Sequence, residues 1–193
     1  MRNRMLAALL MGLLVVGGWG LAQTDDDQAI HEMLKRLLLS GDEISEILGG
    51  TWLLDQTGRL RFETERDLGN AVSAFGIYLR RGRTRDDIIR LIIALWQHRS
   101  EQDAKELFER GFVSIFDPEQ PVALPAQQVK AVQEALKGVA DEVQFFRFED
   151  REETLGLAFR KGARAGIFRV KLTPEEMVAL ARKQIELLTK GRP

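Results

Sequence analysis

The chain has 193 residues, 45% of them hydrophobic and 30% charged, with 28 Lys and Arg against 29 Asp and Glu and no cysteine. Such globular composition excludes collagen-like, disordered and disulfide-stapled classes, and the near-neutral charge lacks the broad basic footprint of a nucleic-acid binder. Without cysteine there is no thiol nucleophile, no thiolate metal ligand and no lipidated cysteine behind a leader.

Residues 1–22, MRNRMLAALLMGLLVVGGWGLA, open with two arginines and no acid, continue as an apolar run from Met5 to Val16 broken by Gly12, and end in small residues. That is the three-part layout of a secretory signal, with cleavage expected between Ala22 and Gln23. The alternative is an uncleaved N-terminal membrane anchor. Met5 to Ala22 is 18 residues, at the lower limit of a span, and Gly17, Gly18 and Gly20 weaken it as a helix. Cleavage leaves 193 − 22 = 171 residues, read as one domain over 23–193; loss of Arg2 and Arg4 moves the net charge from −1 to −3. The expected location is secreted or periplasmic, with no stable membrane span once the signal is gone.

In the remainder, Thr24 to Ser40 reads as a helix. Ile30, Met33, Leu34, Leu37 and Leu38 form one apolar stripe. Asp25, Asp26 and Asp27 suit the positive end of its dipole better than a metal site, which needs oxygens converging from a loop. SGDEISEILGG reads as a short turn. A hairpin follows, with arms Trp52 to Asp55 and Arg59 to Glu65 and a bend at Gln56-Thr57-Gly58. AVSAFGIYLR alternates as a strand and RGRTRDD turns it into Ile88 to Trp96. There every residue but Arg90 is apolar, the mark of a central strand covered on both faces.

Ser100 caps a helix to Arg110, with Gly111 ending it. The proline-bearing connection up to Leu124 reads as a linker or lid. A helix from Ala126 to Lys137, closed by Gly138, leads to strands Val143–Glu149, Glu153–Arg160 and Ala165–Leu172, with RKGAR as the last turn. Thr173, Pro174 and Glu176 then supply a cap, an N1 proline and a capping-box glutamate. The final helix buries Met177, Leu180, Ala181, Ile185 and Leu188 and closes at Lys190 and Gly191. About seven strands joined mainly by hairpins, with one strand apolar on both faces, predict an α+β fold. Its form is a three-layer α/β/α sandwich, with helices on both faces of a mainly antiparallel sheet.

This order of elements resembles the PsbP-like fold found in bacterial secreted and lipoprotein domains. The likeness is carried by LLLSGDEISEILGGTW, by IIRLIIALWQHRSEQDAKELFERG, and by GVADEVQFFRF with LGLAFRKGARAGIFRV and EEMVALARKQIELL. It spans about Leu37 to Leu188. The resemblance implies a binding or accessory module rather than an enzyme, and carries no functional motif. The absent cysteine sets this chain apart from lipid-anchored relatives.

Candidate functional residues are sparse. Arg80, Arg81, Arg83 and Arg85 bunch at one hairpin, and Lys161 and Arg164 occupy a comparable later turn. At one end of the sheet the two turns would make a basic patch for phosphate, lipid headgroup or an acidic partner. Trp52, on a half-wet hairpin, is a candidate ligand platform, whereas Trp96 belongs in the core. His98, near Ser100, Glu101 and Asp103, reads as a polar residue leaving the sheet at its solvent edge rather than as a base, and His31 sits beside Glu32 in the first helix. Asp141, Glu142, Glu149, Asp150, Glu152 and Glu153 read as solvated turn charges. The expectation is therefore a non-enzymatic extracytoplasmic binding or accessory domain. Its partner would be an unknown envelope protein or a small or apolar ligand, with no catalytic residue, metal, cofactor or nucleic acid. The first alternative is an apolar-ligand or lipid carrier with a cleft under the 112–125 connection, where Phe116, Val122 and Leu124 could form a lid. The second is an envelope hydrolase built on paired carboxylates.

Overall fold

Among the residues that the computed structural model describes, 25–60, 71–81, 88–110, 121–148 and 154–192, seven strands form one sheet. In chain order they are β1 (Leu53–Gly58), β2 (Val72–Arg81), β3 (Ile88–Gln97), β4 (Pro121–Ala123), β5 (Glu142–Phe148), β6 (Leu155–Lys161) and β7 (Arg164–Val170). Their spatial order is β1-β2-β3-β7-β6-β5-β4, and every neighbouring pair is antiparallel. The apolar β3 is flanked by β2 and β7, as its composition predicts.

Alternation along the strands divides the core between two faces. On one face, Tyr78, Leu91, Ile93, Leu95, Phe159 and Phe168 pack with apolar residues of α1 (Asp25–Leu37), α2 (Gly41–Leu48), α4 (Ala126–Ala135) and α5 (Pro174–Lys190). On the other, Phe75, Ala94, Trp96, Phe146, Phe148 and Ile167 pack with Leu107 and Phe108 of α3 (Glu101–Glu109). The fold is the expected α+β sandwich with helices on both faces.

Local signals explain the helix starts. The Ser100 side chain accepts from the Asp103 amide at 3.1 Å. Thr173 and Glu176 form the expected reciprocal capping box, with Pro174 in the first turn. The same device lies at Ser40 and Glu43, and it corrects one expectation: SGDEISEILGG contains α2 rather than a turn. The polar start of the segment reads as a turn, but the box satisfies the first amides and Ile44 is fully buried, which together favour a helix.

The predicted hairpin over 52–65 is also corrected. β1 runs through Gln56, Thr57 and Gly58, which pair with Ile77, Gly76 and Phe75 of β2. The chain absorbs its irregularity as a bulge between Leu54 and Gln56 instead of reversing there. Arg59 and Leu60 follow outside any strand, and 61–65 lie outside the described residues. In the proline-bearing connection, Pro121 to Ala123 form an edge strand against β5. Both sheet edges are thereby blunted, one by a bulge at Asp55 and the other by a short strand starting with proline.

A polar clamp joins the helical layer to the loop between α1 and α2. Buried Gln184 donates through Nε2 to the Leu37 carbonyl at 2.7 Å and accepts from the Leu39 amide at 3.2 Å. Tyr78 donates from its hydroxyl to the Leu39 carbonyl, and burial raises the pKa of that phenol above its ordinary value. Gln184→Ala orphans a buried donor and a buried acceptor. It is expected to destabilise the fold by about 2 kcal/mol, read as a lower urea midpoint at constant m-value.

Candidate functional site

Strand register decides whether the two basic turns meet. Arg81 pairs with Ile88 where the β2–β3 hairpin closes, and Lys161 pairs with Arg164 where β6 and β7 join. Arg164 in turn pairs with Gln97, at the far end of β3 from Ile88. The two turns therefore lie at opposite ends of the sheet, a strand length of roughly 30 Å apart. The single basic patch conceived from sequence does not form.

At the Lys161 end the charges neutralise one another. Arg160, buried, donates from Nε to Glu142 at 2.7 Å and from Nη1 to the Gly162 carbonyl at 3.1 Å. The same Nη1 lies 3.4 Å from Glu101 and 3.6 Å from Asp141. Burial works against the guanidinium charge, but Glu142, Asp141 and Glu101 outweigh it and raise the pKa of Arg160. Asp141 accepts from the Gly162 amide at 2.7 Å and from Lys161 at 2.9 Å. Partial burial opposes ionisation of Asp141, yet the Gly162 amide, Lys161 and Arg160 hold its carboxyl below the ordinary range. A glycosidase acid needs a raised pKa, so this carboxylate is tuned the other way. Glu149, Asp150, Glu152 and Glu153 lie outside the described residues. Among the described residues no three potential metal-ligating side chains converge.

Two open clefts of about 560 and 570 Å³ flank this cluster and share Asp141. The first runs between Phe108, Gln133 and Val143, the second between Glu101, Gly162 and Thr189. Residues 112–120 of the connection expected to cover a cleft lie outside the described residues. His98 corrects the sequence reading: it is 2% exposed rather than at a solvent edge. Its backbone amide donates to the Ala163 carbonyl at 2.9 Å, which holds the residue down beside the β6–β7 turn. Among the described residues neither ring nitrogen has a hydrogen-bond partner. His31 is also buried, with Nδ1 at 2.7 Å from the Ser73 carbonyl.

The opposite end is organised differently. Trp52 is 2% exposed and belongs to the core beneath α1 and α2, so it is not the half-wet platform expected from a hairpin position. With β1 continuing straight, Trp52 becomes the residue on which the chain leaves the helical layer. The Arg80 guanidinium carbon lies 5.2 Å from the Trp52 ring centroid, within cation–π range. Gly50 makes room for this stack: its φ is +76°, and a Cβ there would fall 3.0 Å from Arg80 Cδ.

At the same end of the sheet, Leu53, Leu54 and Ile88 are 64%, 52% and 51% exposed. They are the exposed large aliphatics among the described residues, and all three sit at this end of the sheet. Arg90 is exposed, Arg81 lies in β2 opposite Ile88, and Arg83 and Arg85 fall outside the described residues. Sequence reasoning picked out the arginines and missed the leucines. Two adjacent apolar residues opening a strand cannot both face one core, and that broken alternation was the available signal. Trp96, fully buried, is core as expected.

The class thus defined is an antiparallel α/β/α domain whose one sheet end is self-neutralised and whose other end is apolar-tipped and arginine-rich. The fold is similar to that of the extracellular domain of PknH from Mycobacterium tuberculosis, with a TM-score of 0.54 and 12% identity over 83% of this chain and 96% of that domain. At that identity the likeness concerns architecture alone. No protein-family model and no curated protein matches the sequence. Among the described residues no helix is long and apolar enough to cross a membrane.

Proposed function

We propose that the chain is an extracytoplasmic, non-enzymatic binding domain that engages its partner through the β1–β2–β3 end of the sheet. The observation that carries this reading is that Leu53, Leu54 and Ile88 share one end of the sheet with Arg80 and Arg90, neither of which enters an ion pair among the described residues. Water-facing aliphatics clustered beside unpaired cations mark a contact surface rather than a reaction centre. The leader-like residues 1–22 favour export, and the similar PknH domain is itself extracellular. The likeness to PsbP-like accessory domains points the same way by fold analogy. Arg81, Arg83 and Arg85 extend the basic character of this end in sequence.

The test is native purification from the envelope fraction, comparing the unaltered chain with Arg80→Glu/Arg83→Glu. Loss of the co-purifying component from the double variant is the expected result. Its full retention would remove this end from the reading.

A further inference from the structure

We infer that the β1–β2–β3 end is a docking tip for an anionic bilayer surface, an inference that rests on the binding role proposed for the same end. Leu53 pairs with Leu79 and Leu54 with Tyr78, so the two leucines project from opposite faces of the sheet. Ile88 pairs with Arg81, two residues along β2 from Leu79, which sets Ile88 on the face of Leu53. A flat protein partner laid on one face would leave the other leucine in water. A bilayer interface surrounds a tip and removes both faces from water at once.

The cations follow the same division. Arg90 pairs with Leu79 and so shares the face of Leu53 and Ile88. Arg80 shares the face of Tyr78 and Leu54, where its side chain rests on Trp52. Each face thus carries its own aliphatic and its own arginine, as headgroup phosphates above an acyl boundary require. β1, β2 and β3 together hold Arg80, Arg81 and Arg90 against a single acid, Asp55. The chain as a whole has a net charge of −1, so the attraction is local and short-ranged, and added salt weakens it.

The absence of native cysteine allows single reporter thiols. Leu53→Cys, Ile88→Cys and, on the exposed side of α4, Lys130→Cys are each labelled with an environment-sensitive fluorophore. They are then mixed with vesicles of phosphatidylcholine alone or with phosphatidylglycerol added. Each labelled protein carries the same N-terminus, read by mass spectrometry, so any contribution from residues 1–22 is common to all. The expected result is a blue shift and quenching by lipid-borne quencher at positions 53 and 88, only with phosphatidylglycerol present, and no change at 130. Leu53→Ser/Leu54→Ser and Arg90→Glu should each lower partitioning about tenfold. These residues are exposed, so folding is not at stake. Equal shifts at all three positions, equal shifts without phosphatidylglycerol, or none at 53 and 88 would overturn the bilayer assignment. If the vesicle signal is absent while Arg80→Glu/Arg83→Glu still loses an envelope protein, the bilayer assignment falls and the binding role stands. If both experiments are negative, both fall.

Discussion

Lowering the pH from 6.5 to 4 is expected to remove about 3 kcal/mol of stability through His98 alone. The imidazole is almost fully buried and neither nitrogen is hydrogen-bonded among the described residues. Burial pushes its pKa from 6.5 down to about 4, against a weaker opposing pull from Asp103. Between those two values the unfolded chain takes up a proton that the folded chain refuses. Stability is therefore complete above pH 6.5, falls as the pH drops towards 4, and loses nothing more from this residue below that. The carboxyls of Asp141 and Glu43 are held below their ordinary values of 3.8 and 4.5, so their losses start only as the pH approaches those values. Burial opposes ionisation at Glu43 too, and Ser40 with Arg192 outweighs it. His98→Phe fills similar space with no atom to protonate, and it surrenders no hydrogen bond. Urea unfolding at pH 7, 6 and 5.5, above the range in which these carboxyls contribute, should show a slope in the unaltered chain and a flat response in His98→Phe. An equal slope in both would place the titration elsewhere.

The parts of this fold legible in sequence are those set by local chemistry. The Thr173 box, the Ser100 cap and the unbroken apolar run of β3 each act within a few residues, and each appears where expected. The misread parts depend on partners distant in sequence. α2 carries as good a capping box as α5, but at eight residues it leans on tertiary packing, including α5, for its stability. Gln56-Thr57-Gly58 looks locally like the bend of a hairpin; pairing of β1 with Gly76 and Phe75 of β2, some twenty residues on, straightens it. The two basic turns look equivalent locally, since each is an Arg- or Lys-rich hairpin with glycine. Only the antiparallel pairing of β3 with β7 sets them at opposite ends, and only there does one meet the carboxylates of Glu101, Asp141 and Glu142 while the other keeps exposed leucines. The arginines of the candidate site were thus readable and its polarity was not.

Trp52 is where that difference has its largest energetic consequence. Trp52→Ala is expected to cost about 3–5 kcal/mol, because the ring is almost fully buried in the larger core cluster and supports Arg80 from below. For a domain of this size that corresponds to a fall in Tm of about 10 °C. Trp52→Phe should cost only about 1 kcal/mol. The indole nitrogen of Trp52 has no hydrogen-bond partner among the described residues, so exchanging indole for phenyl orphans no acceptor there and keeps an aromatic face under the guanidinium. A residue serving as an exposed ligand platform would behave in reverse, with stability indifferent to alanine. The pair of thermal melts therefore separates the roles before any ligand is known. At the tip, Trp52→Phe should retain bilayer partitioning close to that of the unaltered chain, since Leu53, Leu54 and Arg90 are untouched. Trp52→Ala should lose it well below its own melting temperature, as the start of β1 comes away from α2 and the two leucines lose the fixed opposition that lets one interface bury both.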